Sequence, residues 1–403
     1  MSKWDMVRLG ELCDLDNGFA FKSSDYIRSS NTIICRMSNI RPNATFDTMY
    51  NVKYLPDEYG IKYSNYLLND GDLIIAMTDM ANDPKILGVP TVVNTQGYNM
   101  LLNQRVGRLC FFKDDIDKVF LKYALCQSKA RNHFKKFAGG GLQINLGKKE
   151  ILSVEVPLPP IETQKKIAKT LDTAAELLAL RKQQLAELDN LIKSTFYDMF
   201  GDPVANEKGW EIKELGNISD IQGGLQVTSK RVNNPIELPY LRVANVYRDL
   251  LDLREIKTIK VTEAEAERIC LKRGDILIVE GHGNPTEIGR CAVWDGSIHV
   301  CLHQNHLIRV RVHINYALPA FISYYINSES GRQQMFKAGK TTSGLNTIST
   351  KNVKETLVLL PALSLQTQFA EVVTKIEEQK SIIKKAIDET QYLFDSLMSQ
   401  YFD

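Results

Sequence analysis

Hydrophobic and polar positions alternate along this chain with two different periods, and the helical one is the plainer. Ile167, Leu171, Ala174, Leu178, Leu185, Leu188, Ile192 and Met199 fall on alternating steps of four and three. So do Phe369, Val373, Ile376, Ile383, Ile387, Phe394, Leu397 and Tyr401, in a stretch free of Gly and Pro like the first. A seam sustained this long predicts a coiled coil, interrupted by the polar residues Arg181, Thr195, Lys380 and Thr390. At 1.5 Å per residue each helix would run on the order of 50 Å. Antiparallel pairing of the two helices of one chain is the simplest way to cover both stripes. Elsewhere the apolar runs are short: TIICRM (32–37), DLIIAM (72–77), PTVVN (90–94) and EILSVEVPL (150–158). Gly, Asn, Asp and Pro bound them, which predicts strands and turns. A shorter helix is predicted before the last strand, over VFLKYALCQSKARNHF (119–134) and again over ALPAFISYYINSESGRQQMF (317–336).

That recurrence is general. WDMVRLGELCDLDNG (4–18) is echoed by WEIKELGNISDIQGG (210–224), pairing Trp4 with Trp210, Gly10 with Gly216 and Gly18 with Gly224. CRMSNI (35–40) matches LRVANV (241–246), GDLIIAM (71–77) matches GDILIVE (274–280), LLNQ (101–104) matches CLHQ (301–304), and GLQ (141–143) matches GLN (344–346). Pro159 and Gln164 in PLPPIETQ answer to Pro361 and Gln366 in LPALSLQTQ. Ordered matches at a separation drifting only between about 200 and 206 residues mark a tandem duplication. The predicted fold is α+β with a pseudo-two-fold internal repeat. Two β-rich domains, 1–159 and 207–361, are each followed by a long spacer helix, 160–202 and 362–403.

Composition changes this picture little. With 44% hydrophobic and 24% charged residues, the 403-residue chain has the balance of a globular protein, and a net charge of +2 still permits a basic surface. Seven cysteines lie scattered without a CxxC pair, the first residues are polar, and no apolar run reaches the ~18 residues of a membrane helix. The expectation is a cytoplasmic protein with reduced thiols and no membrane.

Catalytic signals are sparse. His299, Cys301, His303 and His306 alternate suggestively, but the first half has no counterpart, and a buried Cys beside surface imidazoles is the simpler reading. The loop Gly281–Pro285 lacks the Lys-Ser/Thr of a phosphate loop. Asp249, Glu255 and Lys257 form a loose nuclease-like triplet, again in one half alone. The expectation is therefore no catalytic residue, no metal and no cofactor on this chain.

Polar and basic residues do recur at equivalent places, as a DNA surface requires. Lys suits phosphates, Arg suits phosphates and guanine, and Gln or Asn suits adenine edges. Before the last strand stand Lys135, Lys136, Gln143, Asn145 and Lys148 in one half. Lys340, Thr341, Thr342, Ser343, Asn346 and Lys351 stand there in the other. Arg36, Asn39 and Arg41 are paired with Arg242, Asn245 and Arg248. Gln104 and Arg105 answer to Gln304 and Asn305, and His282 and Asn284 sit in the glycine-rich loop. Each of these could equally anchor a loop.

Trp-x-x-x-x-Leu-Gly at each domain start, Gly-Asp-[Leu/Ile]-[Ile/Leu]-Ile in mid-domain and the proline–glutamine entry to each long helix occur in one order, twice. In this the chain resembles the specificity subunits of type I restriction–modification systems. The resemblance implies a non-catalytic, sequence-specific DNA-binding subunit. Each of its two target-recognition domains would read one half of a bipartite, asymmetric double-stranded site, with the helices setting the gap. It also implies partners: modification subunits that use S-adenosylmethionine to methylate adenine, and restriction subunits that use ATP and Mg²⁺. Ala362 and Leu365 depart from the helix-entry pattern. Two other readings of the residues stay open: a stand-alone metal-dependent nuclease, and a coiled-coil adaptor that binds proteins without DNA.

Overall fold

A computed structural model describes residues 4–137, 142–342 and 345–402. The chain forms two compact units: the residues up to Lys182 with those from Lys385 onward, and Gln183–Lys384. The sequence divides the chain into four consecutive pieces. The contacts regroup it, so that each unit holds one β-rich domain and part of both long helices.

In the first unit a four-stranded antiparallel sheet has the order Asp14–Asn17, Val106–Cys110, Leu73–Ala76, Pro90–Val92. All four side chains of Leu73–Ala76 are buried, which explains an apolar run without alternation. Leu73 and Ile75 enter a core shared with the helix Lys118–Cys126 and the long helices, while Ile74 and Ala76 enter a second core. That core is closed by another four-stranded sheet, in which Thr32–Cys35 and Asn99–Leu102 run parallel. The second unit repeats the plan. Ser219–Gly223, Leu307–Val312, Ile276–Val279 and Cys291–Val293 form the matching sheet, with Ile276 and Ile278 on one face and Leu277 and Val279 on the other.

The long helices span Ile161–Phe200 and Leu363–Phe402. In each unit their parts pair antiparallel. In the first, Ile167 and Leu171 share a core with Phe402, while Arg181 donates to the Ala386 carbonyl and to Thr390 Oγ1. In the second, Phe196 and Phe200 pack on Phe369, and Lys380 bridges to Asp189 at 2.6 Å. Three of the polar interruptions in the seam thus have partners within it.

Each helix is tied to its β-domain by one buried glutamine. Gln164 accepts from Asp117 N–H through Oε1 and donates through Nε2 to the carbonyls of Asp115 and Pro159, all at 2.8 Å. Gln366 accepts from Leu318 N–H (2.8 Å) and donates to the carbonyls of Pro361 (2.8 Å) and Tyr316 (3.4 Å). Asp117 and Leu318 are the N-caps of Lys118–Cys126 and Pro319–Asn327. The amide fills the orphan N–H of a shorter helix while anchoring the start of the long one. The departures at Ala362 and Leu365 leave this joint intact.

Candidate nucleic-acid interface

Gly18 and Gly224 set the geometry of the candidate surface. A Cβ at Gly18 would lie 2.3 Å from the Asn103 carbonyl, and one at Gly224 would lie 2.3 Å from those of His303 and Gln304. Only glycine lets the strand lie against the turn that carries Gln104 and Arg105, or Gln304 and Asn305. Asn103 N–H bonds the Cys35 carbonyl (3.1 Å) and Gln304 N–H that of Leu241 (3.0 Å), which brings the turn beside Arg36 or Arg242.

One residue per unit then joins the turn to a β-ribbon. Met77 N–H donates to the Arg105 carbonyl (3.0 Å), and the Met77 carbonyl accepts from Leu146 N–H (2.7 Å). Glu280 does the same with His306 (2.9 Å) and Ile348 (2.8 Å). Gln143–Asn145 pairs antiparallel with Thr78–Met80 in the first unit. In the second, Leu345–Thr347 pairs with Gly281–His282 on one side and Lys340–Thr342 on the other. Three clusters that lie far apart in sequence therefore meet at one edge of each unit: the arginine corner, the glutamine turn and the ribbon.

The side chains at that edge differ in role. Gln104, Arg105 and Gln143 are exposed. Asn145 is exposed too, its Oδ1 accepting from Thr78 Oγ1 at 2.8 Å. Gln304 and Asn305 are half-buried. Arg41 lies 4.0 Å above the Tyr50 ring, and Arg242 pairs with Glu255 at 3.2 Å. His282 accepts from Asn284 N–H (3.0 Å), and Asn284 Oδ1 caps the turn at Thr286 (3.1 Å). Ser343 lies outside the described residues, and Lys340–Thr342 is placed as a strand.

Asn39 and Asn245 are corrections to the sequence reading. They are 2% and 3% exposed, and each accepts from the backbone N–H of its arginine, Arg36 (2.8 Å) or Arg242 (2.9 Å). Their amides donate inward to backbone carbonyls, that of Asp47 at 2.8 Å and those of Asp252 and Glu255 at 2.8 and 3.0 Å. They anchor loops, with their amides turned inward. Arg248 is likewise engaged, by the Thr286 carbonyl at 2.6 Å and Glu287 at 3.7 Å.

The lysines stand on short helices or at their ends. Lys135 and Lys136 are exposed at the end of the helix Ser128–Lys135. Lys148 pairs with Asp14 at 2.6 Å, and that bond, with one from Leu15 N–H, holds the Asp14 carboxyl below its ordinary range. Lys351 faces Glu355 at 3.6 Å on the surface. Surface pairs of this kind are weak and exchange readily for a phosphate.

The other chemistries have no assembled site among the described residues. No group of three or more His, Cys, Asp or Glu could hold a metal ion there. Cys301 and His303 are fully buried while His299 and His306 are exposed. Burial first, and Arg309 second, push His303 down to about 4. Asp249 accepts from Ser323 Oγ at 2.8 Å, and burial raises its carboxyl to about 6. Glu255, its proposed nuclease partner, instead faces Arg242 and Lys257. Asp249 also lines a cavity of about 440 Å³ with Arg248, Tyr324 and Arg332, a feature without a sequence signal. Among the described residues no helix is long and apolar enough to cross a membrane.

A duplicated α+β domain presenting one polar edge per copy is the class of protein that this fold defines. The profile of the type I restriction modification DNA specificity domain matches residues 1–190 and 207–391, and the chain belongs to that family. It is 26% identical over 93% of its length to the type I restriction enzyme EcoKI specificity subunit of Escherichia coli K12, covering 82% of that protein. It is 24% identical over 93% of its length to the StySPI specificity subunit of Salmonella potsdam, covering 81% of it. The crystal structure of the type I restriction–modification S subunit from M. genitalium shares the fold. Its TM-score is 0.60 at 14% identity, over 100% of this chain and 96% of that one.

Proposed function

We propose that this chain is the sequence-specific DNA-binding subunit of a type I restriction–modification complex. It reads a bipartite, asymmetric site in double-stranded DNA, one half per unit, and is itself non-catalytic. Modification subunits would bring S-adenosylmethionine and methylate adenine, and restriction subunits would bring ATP and Mg²⁺, in the cytoplasm. The observation that carries this reading is the edge built twice on the same backbone bonds, through Met77 and Glu280, with different side chains exposed on it. A protein reading two different half-sites needs that combination of constant frame and variable surface. Each reader alone gains only about 1–3 kcal/mol of discrimination per base pair, so two on one chain multiply their selectivity.

The helices also suit a docking role. Leu180 and Ile382 are exposed at repeat-equivalent positions, as are Leu191 and Leu393. The first unit thus shows Leu180 and Leu393, and the second Ile382 and Leu191. This is the pattern expected for two copies of one modification subunit. The test is co-expression with the modification subunits of its own system, followed by single-molecule methylome sequencing. A bipartite methyladenine motif is expected, and a genome without one would overturn the reading. Plasmid nicking by the purified chain with Mg²⁺ alone would favour a nuclease instead.

A further inference from the structure

The ribbon of the first unit sets two outward side chains opposite one another, Gln143 and Met80. The ribbon of the second unit has no such pair at that register: Met80 lies three residues past Met77, and the residue three past Glu280 is Gly283. We infer that Gln143 with Met80 reads an A·T pair in one half-site. The Gln143 amide takes the adenine edge and the Met80 thioether covers the thymine methyl. The inference rests on the DNA-recognition reading above and names the residues that carry it in one half.

The ribbon has the right form for this. Strand alternation turns Gln143 and Asn145 outward and buries Ile144 beneath them. A two-stranded ribbon fits the major groove, where alone A·T, T·A, G·C and C·G can all be told apart. A glutamine amide matches N6 and N7 of adenine with one donor and one acceptor, and the amide of Gln143 has no partner among the described residues. Met80 is 47% exposed, and Leu142 is 87% exposed beside it, its carbonyl held by Ala81 N–H at 3.1 Å. One large apolar side chain stands opposite a free amide on a frame joined to the Gln104–Arg105 turn, and a thymine methyl is what it would cover. The ribbon is also fixed in place: the buried Asp79 between Thr78 and Met80 accepts from Met80 N–H (2.8 Å) and Leu87 N–H (2.9 Å), clamping the following loop. In the second unit Gly283 stands in the place of the thioether, so that half-site is expected to differ at the equivalent position.

Two measurements test this. The first exchanges the pair, Met80→His with Gln143→Asn, in the complex with its modification subunits, and sequences the methylome. The expected result is a changed base at one position of one half-site, with the other half and the gap retained. The second replaces each thymine of that half-site in turn by uracil in a synthetic duplex. One replacement should lower the affinity of the wild-type complex several-fold, and Met80→Ala should remove that sensitivity. Gln143→Ala should reduce discrimination at the same position by about 5- to 150-fold. A bipartite motif that survives the exchange unchanged, or a wild-type complex indifferent to every uracil, would overturn the pair assignment alone. Absence of any bipartite motif from the wild type would overturn the DNA reading and this assignment together.

Discussion

Gln164 and Gln366 are both fully buried, and each closes three hydrogen bonds with one amide. Replacing either by Ala strands a buried N–H and two carbonyls, so urea unfolding should show a loss of about 1–3 kcal/mol. Asn39→Ala and Asn245→Ala should cost a similar amount while leaving every recognised base unchanged in methylome sequencing. That outcome separates loop anchors from base readers. His303 gives a pH dependence. Its folded pKa of about 4 lies below the ordinary 6.5, because burial and Arg309 disfavour the charged ring while Asp275 offsets this in part. The stability it contributes is full above 6.5 and is lost as pH falls toward 4, since only the unfolded chain takes up the proton there. The loss approaches ~3 kcal/mol at the low end. Asp249, with its carboxyl raised to about 6, works in the opposite direction over much of that window. The measurement is therefore the difference between wild type and His303→Asn, the residue the repeat places at Asn103. Denaturation of the two as a function of pH should converge above 6.5 in pH dependence and separate below it.

At the scale of elements, the two long helices combine a buried seam with a few polar contacts. Arg181 reaches Thr390 in one unit, and Lys380 reaches Asp189 and Glu377 in the other. Neither arrangement recurs at the repeat-equivalent place. Single polar residues in a coiled-coil seam specify register at some cost in stability, and two unlike ones oppose slippage of one helix along the other. The outward positions act differently. Leu180→Glu with Ile382→Glu should leave the unfolding free energy of the isolated chain within about 0.5 kcal/mol of wild type, because both sites are exposed. The same variant should assemble poorly with modification subunits in size-exclusion chromatography. Normal assembly would remove these positions from the docking surface.

For the whole molecule, the electrostatic and base-reading parts of recognition should separate. Lys135→Ala with Lys136→Ala removes two exposed cations without touching the ribbon. It should weaken binding of the assembled complex to every sequence alike and flatten the log affinity against log salt slope by about one per lysine. Much of this organisation is legible in the sequence. The helical seam, the strand runs, the duplication and the family resemblance all rest on local periodicity or on matches between segments, and backbone geometry ties side-chain period to element type. Tertiary structure alone decided what those elements do at the edge. Asn39 and Arg36 look alike in a list of polar residues, and burial made one of them an anchor. Met80 carries no polar motif and lies 63 positions before Gln143, so only strand register brings the two face to face. Pairing across a sheet is a long-range choice, made by packing of the whole unit, and no local pattern encodes which side chain will stand opposite.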